Sequence, residues 1–128
     1  MIAHSLQIGN YVSLSKDKVE AKKILGLTSN QVLIFSDEEN EDTWIPIEDI
    51  YPIAITQSIL ENMGFIRSIY HTWVWELGSI SINQNMEMAV NFNQKPIYHA
   101  DKGVHLIQNL MFRQSGNPCT ISIEQILK

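Results

Sequence analysis

Short apolar runs separated by polar turns fill the first 53 residues and restrict this part of the chain to a β-rich fold. The runs are IGNYVSL, KVEAKKILGLT, QVLIF after the turn-forming Ser29 and Asn30, and TWIPI. Runs of this length and spacing are typical of a β-meander or a small β-barrel. Because Pro46 lacks a backbone N–H, we expect the last of these strands at a sheet edge.

Residues 54–128 carry signals for both helices and strands. Thr56 is suited to cap a helix over residues 57–63, and Gly64 is suited to end it. The runs FIRSIYHTWVWEL and SISIN flank Gly78 and Ser79, which predicts a hairpin. MEMAVNFN reads as a third strand, and KPIYHA as a short edge strand or connector.

A second helix is predicted for GVHLIQNLMFRQSGN, residues 103–117. Asp101 precedes this stretch as a capping residue, and Gly116 with Asn117 supplies the stop signal. Pro118 prevents the helix from continuing.

The segment CTISIEQIL is interpreted as a final strand with Ile121 and Ile123 on one side. The resulting fold class is α+β: a β-rich N-terminal meander or small barrel, then an antiparallel sheet with two helices. A chain of 128 residues with 45% hydrophobic and 18% charged residues fits one domain. Within residues 1–128 we therefore expect a β-rich acidic part over 1–53 and a mixed part over 54–128.

The apolar runs also bear on the location of the protein. VLIF and IYPIAI are far shorter than the roughly 20 residues that a membrane-spanning helix needs. The N-terminus lacks a basic region followed by a long apolar run, so no signal peptide is expected. The single cysteine, Cys119, fits a reducing compartment. We therefore expect a cytoplasmic protein with no membrane partner.

Charge is distributed unevenly along the chain. Residues 1–53 carry four lysines and nine acidic residues, whereas residues 54–128 carry five basic and five acidic residues. No basic stripe suited to phosphate is visible, so direct nucleic-acid binding is disfavoured. The acidic stretch SDEENEDTW lacks the order of a calcium-binding loop. It is interpreted either as a solvated hairpin tip or as a partner-binding segment formed by Asp37, Glu38, Glu39, Glu41 and Asp42.

No metal, cofactor or catalytic motif emerges from the spacing of reactive residues. The four histidines and Cys119 do not show the spacing of a structural zinc site. Cys119 close to His105 across a helix end would be the one candidate for nucleophilic catalysis. A cysteine at the start of an apolar strand is more often a small buried hydrophobic residue. A serine elbow, a glycine-rich phosphate loop and a Walker lysine are all absent from the sequence.

Two tryptophans lie on the same side of one predicted strand. Trp73 and Trp75 share this side with Leu77, and core packing is the commoner use of such a stripe. Because each indole N–H needs a partner, a partly exposed position in an interface is the alternative. Arg67 and Tyr70 nearby would enrich such an interface.

The second helix has an apolar and a polar face. At about 100° per residue, the buried stripe is expected to hold Leu106, Ile107, Leu110 and Met111. The opposite side carries a row of partner-binding candidates, His105, Asn109 and Arg113. Phe112 lies on this polar side as well, either covered by residues 120–123 or anchoring a partner.

On these residues the chain resembles a group of short proteins found in Bacteroidota genomes, prophages and mobile elements. The resemblance rests on IGNYV, on IEDIYPI followed by a helix ending in Gly64 and Phe65, on SISI, and on HLIQNLMFRQSG. The last motif follows a pattern of histidine, x, leucine, glutamine, asparagine, leucine, x and phenylalanine, with Ile107 in the place of the leucine.

The resemblance implies a viral or mobile-element origin. Small proteins of that origin often bind host machinery stoichiometrically, including as inhibitors of RNA-guided nucleases, and the extension to this chain is an analogy. We therefore expect a non-enzymatic, anti-CRISPR-type inhibitor whose partner is a host protein such as a nuclease effector or its RNA-bound complex. A single-stranded nucleic-acid-binding barrel that uses Trp44, Trp73 or Trp75 is the first alternative. A small hydrolase that uses Cys119 and His105 is the second.

Overall fold

The computed structural model describes residues 6–84, 89–97, 102–117 and 121–127. It has the α+β fold expected from the sequence, with a β-rich N-terminal part. The strands are β1 (Tyr11–Ser13), β2 (Ala21–Lys23), β3 (Gly26–Leu27), β4 (Gln31–Ser36), β5 (Glu41–Pro46), β6 (Ile66–Arg67), β7 (Val74–Leu77), β8 (Ile80–Asn83), β9 (Ala89–Phe92) and β10 (Lys95–Pro96). The helices are a 3₁₀ turn (Ile47–Asp49), α1 (Gln57–Asn62), α2 (Val104–Ser115) and α3 (Ile123–Leu127).

The N-terminal part is built from two small antiparallel sheets. One pairs β1 with β2, and the other has the order β3-β4-β5. An isolated bridge between Ser13 and Tyr51 joins the segment after the 3₁₀ turn to β1. β5 lies at an edge, as predicted from Pro46. The core between these strands consists of Leu6, Val12, Ile24, Val32, Ile34, Ile47 and Ile50.

The C-terminal part is a five-stranded antiparallel sheet with the order β10-β9-β8-β7-β6. The predicted hairpin is confirmed, because β7 pairs with β8 across Gly78 and Ser79. Gly78 has a φ of +58°, which glycine adopts without strain. The predicted third strand is β9, and β10 forms the short edge strand expected after it.

Helix α1 forms where the sequence placed it. The Thr56 hydroxyl accepts a hydrogen bond from the Ile59 N–H at 3.2 Å, as an N-cap does. Gly64 follows the helix with a φ of +97°. Ile59 and Leu60 are buried in the C-terminal core.

Helix α2 packs its predicted apolar stripe against the sheet. Leu106, Ile107 and Leu110 are buried, and Met111 packs against the same core. The helix ends at Gly116, whose φ of +76° is the left-handed conformation expected of a C-terminal glycine.

The start of α2 differs from the sequence prediction. Gly103 is the N-cap, and it makes no side-chain capping bond. Instead, the Val104 N–H donates to the Ile53 carbonyl at 2.9 Å. A Cβ at Gly103 would lie 2.7 Å from the Pro52 Cβ, so the close approach of the two segments requires glycine. Asp101, the expected cap, lies outside the described residues.

The prediction of a final strand over residues 119–127 is wrong, because residues 123–127 form helix α3. The Gln125 N–H donates to the Ser122 hydroxyl at 3.2 Å, and the Ser122 N–H donates to the Gln125 side-chain oxygen at 2.9 Å. This reciprocal pair is a capping box. Ile121 and Ile126 are both buried at the spacing of a hydrophobic staple.

The two cores are joined through β1. Tyr11 belongs to the cluster of the C-terminal part, although its neighbour Val12 belongs to the N-terminal cluster. Helices α2 and α3 also contact β1 and β2, respectively. Among the described helices, none combines the length and apolar character needed to cross a bilayer.

Candidate functional site

Gln108 connects the motif on α2 to the IGNYV segment. The Tyr11 N–H donates to Gln108 Oε1 at 2.8 Å, and Gln108 Nε2 donates to the Gly9 carbonyl at 3.2 Å. The Val104 N–H also donates to the Ile53 carbonyl. The motifs IGNYV, IEDIYPI and HLIQNLMFRQSG therefore meet at one junction. This junction holds the two parts of the protein together.

The neighbouring Asn109 strengthens the same junction. Asn10 Nδ2 donates to Asn109 Oδ1 at 2.8 Å, while Asn10 Oδ1 accepts from the Gln7 N–H at 2.7 Å. A cleft of about 200 Å³ lies over these amides, with Ile8 and Phe112 among its lining residues. Phe112 is 45% exposed, so of its two alternatives the one in which residues 120–123 cover it is wrong.

The predicted row of His105, Asn109 and Arg113 does not form one contact face. His105 is completely buried beside Gly103, which removes it from the partner-binding candidates. The guanidinium of Arg113 lies 5.0 Å from the centre of the Phe92 ring, in a cation–π contact. The row was expected to face solvent, but only Arg113 is exposed, while Asn109 is half-buried and bonded to Asn10.

Residues 66–73, which we call the aromatic loop, form the most exposed apolar segment of the described chain. Ile69 is 87% exposed and Tyr70 is 83% exposed. Ile66 on the edge strand β6 is also largely exposed, and the Trp73 ring lies 5.0 Å from that of His71. The segment presents apolar and aromatic surface beyond the sheet edge.

Hydrogen bonds give the aromatic loop a defined shape. The Ser68 hydroxyl accepts from the Tyr70 N–H at 3.2 Å, and the Val74 N–H donates to the His71 carbonyl at 3.0 Å. Arg67 donates to the Gln57 side chain at 2.8 Å. The exposed side chains therefore project from a turn that is fixed at both ends.

The strand prediction implied that the two tryptophans share one role, but the structure places them in different environments. Trp75 is buried in the C-terminal core, with the Arg67 guanidinium 4.8 Å from its ring centre. Trp73 precedes β7, which begins at Val74, and is 39% exposed. Trp75 is thus a core residue rather than a partner-binding residue, whereas Trp73 remains at the surface.

The acidic segment forms the tip of the β4–β5 hairpin. Asp37 makes an ion pair with Lys22 at 2.8 Å, and in the part of the chain that the structure describes the other acidic residues of the tip form no ion pair. Those residues, Glu38, Glu39, Glu41 and Asp42, are all exposed. Asn40 adopts a φ of +53°, which asparagine tolerates in turns.

The structure brings no metal-binding group together within residues 6–84, 89–97, 102–117 and 121–127. Cys119, His4 and His99 lie outside these ranges. The thiol–imidazole pair of the hydrolase hypothesis would have to use His105, which is buried in the core. Because Cys119 lies outside the described residues, the hydrolase alternative stays a prediction.

Sequence reasoning missed Ile66 and Ile69 as surface residues because it assigned residues 65–77 to one continuous strand. The strand is interrupted over residues 68–73. The available signal was Ser68, whose hydroxyl competes with strand pairing by accepting nearby backbone N–H groups.

Comparison with protein-family models, with curated proteins and with solved structures gives no significant match to this chain.

Proposed function

We propose that this protein acts by stoichiometric docking to another protein, with the aromatic loop as its principal contact. The observation that carries the proposal is the exposure of Ile66 on β6 and of Ile69 and Tyr70 in the turn that follows it. Isolated exposed apolar residues are common, but contiguous ones at a sheet edge mark interaction sites. Tyrosine and tryptophan also supply many of the residues that dominate binding energy.

The fixed shape of the aromatic loop favours binding, in addition to its exposure. Its turn is held by Ser68 and by the bond between Val74 and His71, so little conformational entropy remains to be lost on docking. Trp73 is partly exposed beside His71, which extends the apolar surface toward β7. A partner with an apolar pocket fits this surface best.

As the more specific target we propose a nucleic-acid-guided nuclease. The support is the resemblance to mobile-element proteins, together with the exposed acidic residues of the β4–β5 tip. A negatively charged surface steers association toward a basic nucleic-acid channel and competes with the nucleic acid for it.

The test is a titration of the purified chain into cleavage reactions of a panel of RNA-guided nucleases. We expect inhibition that is complete at stoichiometric amounts for a susceptible nuclease, and loss of inhibition in the double variant Ile69→Ser/Tyr70→Ser. The matched control is Ile8→Ser/Val19→Ser, which removes two other exposed apolar residues. Equal inhibition by both double variants would contradict the role of the aromatic loop.

A docking protein without a nuclease target would still bind a partner through this loop. Affinity capture from bacterial lysate with wild-type and Ile69→Ser/Tyr70→Ser proteins separates docking in general from inhibition of a nuclease. A stoichiometric partner lost only in the loop variant supports docking, even if no nuclease is inhibited. If wild-type and variant capture the same proteins in equal amounts, the docking proposal fails.

Single-stranded nucleic-acid binding is the second candidate, favoured by the exposed aromatic rings Trp44 and Trp73. Base stacking on such rings would give retention of a labelled oligonucleotide that falls steeply with salt. Measurable retention at low salt that is lost in Trp73→Ala would favour this function over protein docking.

A further inference from the structure

β5 carries a row of backbone groups at the free edge of a sheet. It pairs with β4 along its full length, and the sheet order β3-β4-β5 leaves its other side open. Such an edge is a template for an additional strand.

The register shows which groups point outward. The Ile47 N–H donates to the Asn30 carbonyl at 3.0 Å, which marks residues 30 and 47 as a hydrogen-bonded pair of the ladder. Because hydrogen-bonded and non-hydrogen-bonded pairs alternate, the pairs Leu33–Trp44 and Phe35–Asp42 are of the other type. The N–H and C=O groups of Asp42 and Trp44 therefore face the open side of β5.

These outward backbone groups are available to bond an added strand. No hydrogen bond to another described residue engages the backbone of Asp42 or Trp44. Together they offer two donors and two acceptors to an extended chain. Pro46 ends the open edge, since it has no N–H to donate.

The side chains beside this edge combine apolar and acidic character. Trp44 is 45% exposed and Phe35 is 42% exposed, and both lie on the outer face of the sheet with Asp42. An added strand would place alternate residues of one of its faces next to Asp42 and Trp44. A basic residue suits the first position, and an apolar residue suits the second.

Charge identifies the kind of segment that fits. Glu39, Glu41 and Asp42 are exposed at this end of the hairpin, and the one ion pair of the described hairpin tip uses Asp37. A second copy of this chain has the same net charge of −5 and the same acidic edge strand, so two such edges repel each other. A basic segment is attracted instead.

We propose that the free edge of β5 binds an extended, basic segment of a partner protein as an additional antiparallel or parallel strand. The site is separate from the aromatic loop and belongs to the other sheet. It is a polypeptide-binding edge whose specificity comes from Asp42 and Trp44.

The test is an NMR titration of the full chain with the octapeptide KTVTKTVT. This peptide places lysine and valine alternately on one face of a strand. We expect the largest amide shifts at residues 41–45, and binding that weakens when NaCl is raised from about 50 to about 500 mM. The charge-reversed peptide ETVTETVT and an N-methylated KTVTKTVT should not bind.

Two substitutions of Asp42 separate the contribution of its backbone N–H to peptide binding from that of its charge. Asp42→Asn removes the charge and keeps the outward N–H, whereas Asp42→Pro removes both and leaves the β4–β5 ladder intact. We expect Asp42→Pro to weaken binding a further three- to tenfold, roughly the effect of one hydrogen bond. Equal affinities of the two variants would overturn strand addition.

A charge-matched control tests the acidic tip. Glu39→Gln/Glu41→Gln should weaken peptide binding, and Glu48→Gln/Asp49→Asn, which changes the net charge equally on the 3₁₀ turn, should not. Ile69→Ser/Tyr70→Ser should bind the peptide as the wild type does. Shifts centred on the aromatic loop, or equal binding of the acidic peptide, would overturn the proposal without affecting the proposed docking function.

Discussion

Replacement of Gln108 by alanine tests the junction between the two parts of the protein. Gln108 is 6% exposed, and its side chain hydrogen-bonds two backbone groups of the IGNYV segment, at Tyr11 and Gly9. If these bonds hold the N-terminal part against α2, their loss should lower the free energy of unfolding of the whole chain. If they are incidental, the variant should be as stable as the wild type.

The expected magnitude follows from the burial. In Gln108→Ala the buried Tyr11 N–H loses this acceptor, which costs about 1–3 kcal/mol. Loss of the side-chain methylene from a buried position costs about 0.8 kcal/mol more. We therefore expect a decrease of about 2–4 kcal/mol in the free energy of unfolding.

The assay is urea unfolding followed by circular dichroism and tryptophan fluorescence. Gln114→Ala is the matched control, because Gln114 lies on the same helix and also accepts from a backbone N–H, that of Ser79, but is exposed. Water can replace Gln114, so this control should change stability by no more than about 0.5 kcal/mol. Equal effects of the two substitutions would refute the reasoning.

Three further predictions concern stability, each measured by the same urea titration. Ile82→Ala removes a completely buried side chain and should cost about 2–5 kcal/mol, whereas Ile69→Ala should lie within about 0.5 kcal/mol of the wild type; similar values would contradict the assigned core. Thr56→Ala removes the N-cap of α1 and should cost about 1 kcal/mol, and Thr56→Ser should restore most of it. Gly116→Ala should cost about 1 kcal/mol through its positive φ alone, because a Cβ there meets no atom within 4 Å; a stabilised variant would rule out the left-handed C-cap.

Local signals placed several elements correctly. Thr56 and Gly64 mark the two ends of α1. Gly78 and Ser79 form the β7–β8 turn, and Gly116 ends α2. Each signal acts through the residue's own conformational preference or through a bond to a residue a few positions away. Such interactions are present whatever the rest of the chain does.

The incorrect prediction of a final strand at residues 119–127 neglects a local helix signal. The alternation of Ile121 and Ile123 suggested a strand, but Ser122 and Gln125 have the spacing of a capping box. A period of two over so few residues is weaker evidence than a reciprocal cap.

The site assignments depended on contacts between distant segments. A helical wheel places His105 on a polar face, yet the tertiary fold buries it completely, and the IGNYV segment bonds to Gln108 one turn further along α2. The strand pattern placed Trp73 and Trp75 together, yet only Trp73 stays at the surface.

By itself, the sequence determined the α+β class, the ends of α1 and α2, and the edge position of β5, since these follow from local preferences, capping and the missing N–H of Pro46. Tertiary structure alone decided that Gln108 and Asn109 join the two parts and that the aromatic loop remains exposed. The physical reason is that amphipathic periodicity tells which residues of an element can be buried. Which surfaces are finally covered depends on partners about 100 residues away along the chain, such as Gly9 and Asn10 for α2.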